Sequence, residues 1–341
     1  MKKVATFFCL LLCLSFLFSC DTAPEYKKQS FFAMDTLAEI RIYSDHEKVA
    51  EVFAECKALT AELEKAISVT YEGGDLVRFN ASESGIEDAS EHLLALIAIS
   101  SEISRLTGGS FDIRAGALIA LWKQCEEEGR LPTDAEIAAA VALVDGDIST
   151  VGTEVSKSDA ALKLDFGAVG KGYAADLLKA ELLKKGVSCG MISFVSSITV
   201  FGERETGDFR IAIRRPDASG EIAGYITLRD MSLSVSGNYE RYYEIGGQKY
   251  DHILDPATGY PADNRIDSVV VTTPNGAYAD ALSTAITVMG AEETLALYQN
   301  GSIPFEAAIF CGNEILVTDG FSENFSPVDG RYTVVRLSDR I

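Results

Sequence analysis

Asp165-Phe-Gly-Ala-Val-Gly-Lys-Gly-Tyr-Ala-Ala-Asp176 is the stretch that orders the rest of the chain. Leu162-Lys-Leu-Asp-Phe before it reads as a short strand, and a helical segment follows to Lys185, where Gly186 closes it. A strand, then bare glycine backbone, then a helix N-terminus is how chains cradle phosphate, because the N–H groups can approach closely and the helix dipole favours negative charge. The spacing is neither G-x-G-x-x-G nor a Walker loop, so neither of those mechanisms is indicated. Lys171 adds a point charge suited to phosphate. The same glycines also suit a tight turn with no ligand.

Upstream, residues 31–42 alternate loosely and read as a strand bent at Met34-Asp-Thr36. Apolar residues recur at helical spacing over 47–68, 89–106 and 115–127. A further helix over 133–144 opens with Thr133 and Glu136, the spacing of a capping box. Downstream, 191–245 reads as short strands and turns, including 192–201, 209–213, 224–228 and 241–245. A β-branched strand covers 266–273, and helices follow over 277–289 and 292–298. The fold class expected is α+β, with mixed, mainly antiparallel sheets covered by helices.

The chain has 341 residues, 47% apolar and 24% charged, which is globular usage. Its net charge of −21 repels phosphate backbones, so no nucleic-acid partner is expected. An anionic ligand then needs a metal ion or clustered N–H groups to be held. Three histidines, His46, His92 and His252, are too few for a multi-histidine zinc site. His46 and His92 are expected to be solvated.

Lys2 and Lys3 precede an apolar run over 4–19 that ends in Ser19-Cys20, the pattern of a bacterial lipoprotein leader. Cleavage before Cys20 and its acylation would anchor an exported chain to a membrane, at the periplasmic face of the inner membrane. The organisation expected is a signal peptide at 1–19, a tether at 20–30 and a single domain, with two subdomains allowed, over 31–341. Cys56, Cys125, Cys189 and Cys311 are widely spaced, with no C-x-x-C, and read as small buried hydrophobes.

Two further groups carry chemistry. Asp280 and Thr284 stand at i and i+4 of a helix, so both oxygens leave one face. A carboxylate and a hydroxyl suit Mg²⁺; equally, Asp280 could cap the first helical turn. His252, in Tyr250-Asp-His-Ile-Leu-Asp-Pro-Ala-Thr-Gly-Tyr-Pro261, sits in a polar, turn-rich setting where it could take a proton from a hydroxyl nucleophile, oriented by Asp251 or Asp255. The same stretch also reads as a structural hairpin loop. No G-x-S-x-G is present, and Ser234-Val-Ser-Gly237 is a weak substitute for a nucleophile elbow.

Taken in order, these segments resemble the FAD:protein FMN transferases, the ApbE family of exported flavin-attaching enzymes. Met34-Asp-Thr is similar to the family's Met-Gly-Thr, and Gly109-Ser-Phe-Asp112 to its Gly-x-Phe-Asp, although Ile113-Arg114 replaces the usual Pro-Thr. The glycine-rich turn, Ser236-Gly-Asn-Tyr-Glu-Arg-Tyr242, His252-Ile-Leu-Asp-Pro-Ala-Thr-Gly259 and Ala279-Asp-Ala-Leu-Ser-Thr-Ala285 complete the series. Ser193-Phe-Val-Ser-Ser197 departs from the family's Asn-x-Gly-Gly.

The resemblance implies that Met34 and Tyr71 pack on flavin or adenine, and that Ser110, Phe111 and Asp112 line the cofactor pocket. It implies further that Asp165, Lys171 and Ile253 contact FAD. Mg²⁺ would be held by the carbonyl of Ala168 with Asp280 and Thr284; Ala277 stands where some members have another acidic ligand. The implied reaction is transfer of FMN from FAD to a Ser or Thr hydroxyl of an acceptor flavoprotein of an exported or membrane redox complex, releasing AMP, with His252 as base. The alternatives are an Mg²⁺-dependent FAD pyrophosphatase and a flavin-binding lipoprotein without catalysis.

Overall fold

The computed structural model describes residues 26–217, 219–237 and 242–340. In chain order the elements begin with β1 (Lys27–Ala33), β2 (Thr36–Ile42), α1 (Val49–Ile67), α2 (Asp75–Ala81), β3 (Gly85–Ile86) and α3 (Glu91–Leu106). A 3-10 turn at Ile113–Ala115 leads into α4 (Gly116–Glu128), then α5 (Asp134–Val144), β4 (Ile148–Val151), β5 (Glu154–Lys157) and α6 (Gly170–Lys184). Next come β6 (Gly190–Ser193), β7 (Ser197–Phe201), β8 (Phe209–Arg214), β9 (Ile222–Leu228), β10 (Ser232–Gly237), β11 (Tyr242–Ile245), β12 (Gln248–Asp251) and β13 (Ser268–Thr273). The series ends with α7 (Gly276–Asn300), β14 (Glu306–Cys311), β15 (Glu314–Val317), α8 (Asp319–Asn324), β16 (Phe325–Pro327), β17 (Thr333–Arg336) and α9 (Leu337–Arg340).

Nine strands form one sheet in the order β1-β2-β6-β7-β10-β13-β14-β15-β17. Among the described residues its pairings are antiparallel except β15 with β17, so the expected α+β class stands. Strand β13 shows why two layers cover it. All its residues are buried, as its β-branched run without polar alternation demands. Val269 and Val271 face α7, while Val270 belongs to a second core with β8, β9 and Phe310. Helices α1, α3 and α6 extend the helical layer over β2 and β6.

Several local readings change. Residues 31–42 are two strands of a hairpin, with Ala33 paired to Thr36. Met34 and Asp35 both have positive φ, 53° and 56°, the mirrored two-residue turn whose twist matches the strands it joins. Strand β1 begins at Lys27, so Lys27–Ser30 are paired backbone and not tether. Cys20 and the leader lie outside the described residues.

The segment expected as a strand over 162–166 forms no strand and joins no sheet. Asn80 of α2, a helix not anticipated, takes the neighbour's place: its Nδ2 donates to the Leu164 carbonyl at 2.9 Å, and its Oδ1 accepts from the Leu164 N–H at 2.8 Å. One side-chain amide thus satisfies both backbone groups. The two helices expected over 277–289 and 292–298 are present as the two arms of α7, separated by a non-helical Gly290 (φ 83°, ψ −176°). The Thr133–Glu136 capping box forms as expected.

His92 is not solvated, and His46 is half-buried. His92 is buried against Tyr173, edge to face, and His46 Nε2 lies 2.9 Å from the Lys185 carbonyl. The four cysteines are free, three of them buried. Burial pushes each thiol up, Cys56 to about 12, so none is a reactive thiolate.

Candidate active site at the glycine-rich turn

Helices α6 and α7 cross where two glycines meet. A Cβ on Gly172 would lie 2.0 Å from the Gly276 carbonyl oxygen and 2.8 Å from Asp280 Cβ. This close approach brings Asp280, one turn into α7, against the start of α6. Its Oδ2 accepts from the Gly172 N–H at 3.0 Å, with Lys171 Nζ at 3.8 Å. Lys171 Nζ also donates to the Gly167 carbonyl at 3.3 Å.

Asp280 does not cap α7. The cap is Asn275, whose side chain accepts from the Tyr278 N–H, and Asp176 of α6 accepts from Gly276 and Ala277. Burial pushes the Asp176 carboxyl up, the two backbone donors oppose that, and Asp280 nearby adds to it. Sequence reasoning missed Asp176 in this role.

Gly172 lies in the first turn of α6, whose N–H groups have no acceptor within the helix, and Asp280 supplies one. Thr284 Oγ1 stands one turn beyond Asp280, 3.4 Å from Ser236 Oγ. Asp280 and Thr284, at i and i+4 of α7, offer a carboxylate and a hydroxyl, both hard oxygens. Among the described residues no three His, Cys, Asp or Glu side chains cluster around a common point. By its chemistry a carboxylate and hydroxyl without histidine or cysteine suits Mg²⁺ and not zinc.

Asp165 Oδ1 accepts from the Gly167 N–H at 2.7 Å and shapes the turn. Burial pushes its carboxyl up, against the Gly167 N–H and the charges of Lys171 and Lys123. Met34 closes the other side. Its Cε lies 3.1 Å from where a Gly170 Cβ would stand, and its N–H donates to Glu64 Oε1 at 2.9 Å. Tyr71 is 48% exposed, its ring free to meet a flat partner.

The Ser110–Asp112 segment adjoins the turn because the Ile113 carbonyl accepts from the Asp165 N–H at 2.9 Å. Phe111 is buried. The Asp112 carboxylate is filled by four donors: the Arg114 N–H, Nε and guanidinium terminus, and Ser104 Oγ, at 2.6 to 2.9 Å. With its lone pairs spent, Asp112 shapes the wall of the site. Arg114, which stands where the family's Pro-Thr is replaced, supplies three of those contacts.

His252 and Ile253 stand on a separate loop, docked on α4 by the Trp122 Nε1–H bond to the Gly259 carbonyl (2.9 Å), and the same Trp122 stacks on Tyr243 of β11. Asp255 is spent on the turn, accepting from the Ala257 N–H and Thr258 Oγ1. Asp251 is the acid beside His252: its Oδ1 lies 3.2 Å from Nδ1, out of line for a hydrogen bond. Ile253 is buried, its N–H donated to Asp251 Oδ1. The motif 236–242 is described only in part.

The fold is similar to that of solved flavin transferases. The structure titled flavin transferase ApbE from Vibrio cholerae superposes with a TM-score of 0.76 at 25% identity, covering 88% of this chain and 100% of that one. The apbe protein from Thermotoga maritima gives 0.78 at 25%, covering 88% and 99%. The profile of the ApbE family matches residues 34–309, and the chain belongs to that family. Proteins named FAD:protein FMN transferase from Treponema pallidum (28% identity, 92% of each chain) and Vibrio cholerae (31%, 73% of this chain and 77% of that protein) are among its relatives.

Proposed function

We propose that the chain transfers FMN from FAD to a Ser or Thr hydroxyl of an acceptor flavoprotein in a Mg²⁺-dependent reaction that releases AMP. As an ApbE-family member it is a flavin transferase. The observation that carries the finer reading is Asp280 Oδ2 held at the N-terminus of α6, beside Lys171. On a chain of net charge −21, a pyrophosphate needs such a cation site.

Asp280, Thr284 and the Ala168 carbonyl would hold Mg²⁺. When bound, the ion neutralises the pyrophosphate and stabilises charge on the departing AMP. Lys171 and the N–H groups of the glycine-rich turn bind phosphate oxygens. Met34, Tyr71 and Ile253 pack on the rings, and Asp165 with the Ser110–Asp112 wall fixes the turn's shape. His252 takes the proton of the acceptor hydroxyl at Nε2, and the Asp251 carboxylate beside the ring favours the positive charge it then carries. Export and anchorage through Cys20 complete the proposal.

The test is mass spectrometry of a Thr-containing acceptor peptide incubated with the protein and FAD. An added FMN mass that requires Mg²⁺ and disappears with chelator is expected. AMP release with unmodified peptide would assign the site to FAD hydrolysis. His252→Ala is expected to slow transfer by about 100-fold, the scale of general-base catalysis, with FAD affinity changed less than about threefold. Equal losses in both, from stopped-flow and fluorescence titration, would make His252 a binding residue.

A further inference from the structure

We propose that Ser197 and Ser234 are positioning residues for Asp280, fixing through Oδ1 which carboxylate oxygen faces the glycine-rich turn. The proposal rests on the reading of Asp280 as a magnesium ligand. Ser197 ends the segment where the chain departs from its family's glycines, and Ser234 belongs to the weak nucleophile motif noted in the sequence. The two are directly opposed across the β7–β10 pairing, in the middle of the large sheet. Both are buried, at 2% and 1% exposure, which removes Ser234 as a nucleophile open to substrate.

The hydroxyls reach the same oxygen. Ser197 Oγ donates to Asp280 Oδ1 at 2.9 Å, and Ser234 Oγ lies 3.1 Å from Oδ1 and 2.7 Å from Ser197 Oγ. Each hydroxyl has one proton. The shorter contact sets a relay in which Ser234 donates to Ser197 and Ser197 to Oδ1, with Ser234 close enough to share the oxygen. Oδ1 is thereby occupied from the sheet side. Oδ2, which among the described residues meets the Gly172 N–H and Lys171, is the oxygen left to face a cation. Without the hydroxyls the carboxylate is held from the Oδ2 side alone, by the Gly172 N–H and Lys171, and its orientation about the Cβ–Cγ bond loosens. Groups behind a metal ligand commonly set metal affinity in this way.

The test uses the purified full chain and Mn²⁺ as a spectroscopic probe, without FAD. Ser197→Ala and Ser197→Cys are expected to raise the Mn²⁺ dissociation constant about tenfold, read by electron paramagnetic resonance. The Mg²⁺ concentration for half-maximal AMP release should rise to match, with the rate at saturating Mg²⁺ within about twofold of the parent. Cysteine keeps the volume and loses the strong donor, so affinity lost in alanine but kept in cysteine would make the role mere packing and overturn the proposal. Unchanged Mn²⁺ affinity in both variants would overturn it as well. Ser234→Ala, expected to weaken Mn²⁺ binding in the same direction, keeps the question open to test if Ser197 variants fail to fold. A parent protein that binds no Mn²⁺ would instead refute the magnesium reading itself.

Discussion

Asp280→Asn is expected to lower AMP release from FAD by about 1,000-fold at saturating Mg²⁺ while the fold is kept. The amide has the shape of the carboxylate. Its oxygen can accept from the Gly172 N–H, and its NH₂ can donate to the Ser197 and Ser234 hydroxyls, which turn to accept. The buried contacts survive, and a stability change of about 1 kcal/mol is expected, the scale of one altered hydrogen bond. What disappears is the negative charge facing the glycine-rich turn. Losing that charge removes the only carboxylate of the proposed ion site, and Lewis-acid stabilisation is worth several kcal/mol of barrier. About 4 kcal/mol corresponds to three decades in rate. The check is AMP release against Mg²⁺ concentration, with a thermal melt of the same sample. Turnover within tenfold of the parent in a folded variant would remove Asp280 from the metal site.

Asp280 also marks how far sequence reading reaches. Its i, i+4 relation to Thr284 is a local pattern, and so is the glycine turn with Lys171; both were legible because periodicity alone puts those side chains together. The hydroxyls behind Asp280 were not. Ser197 and Ser234 lie 83 and 46 residues from it in sequence, and they meet it only because two central strands and a crossing helix pack as they do. Asp176, which caps α7 from 100 residues away, was hidden for the same reason. The strand expected over 162–166 failed differently: its alternation is real, but its hydrogen-bonding partner is the Asn80 side chain and not a neighbouring strand. His92 sits at a position whose helical spacing is compatible with either face, and packing against Tyr173 decides the matter. The two-residue turn at Met34 and Asp35 shows a sequence cue overruled, since neither residue is the glycine such a turn prefers.

Gly172→Ala carries the second large effect, because the crossing of α6 and α7 holds the site together. The added methyl would stand 2.0 Å from the Gly276 carbonyl oxygen and 2.5 Å from its carbon, both backbone atoms that no rotamer change can move. The helices must separate or tilt. Forced overpacking of this kind costs about 1–3 kcal/mol, and a clash with backbone belongs at the upper end. Catalysis should suffer more than stability. The Gly172 N–H that fixes Asp280 Oδ2 moves with the helix, and Asp280 Cβ itself is 2.8 Å from the new atom. A displacement of about 1 Å at a positioning contact can lower rate by about 100-fold. The expected result is a lowered melting temperature together with at least a hundredfold loss of AMP release. Gly330→Ala, where an added methyl meets nothing within 4 Å, should leave both within error of the parent, since surface changes of this kind are near neutral. Gly172→Ala with parental stability and rate would mean that the two helices do not need their glycine contact, and the geometry argued for Asp280 would have to be held by the sheet hydroxyls alone.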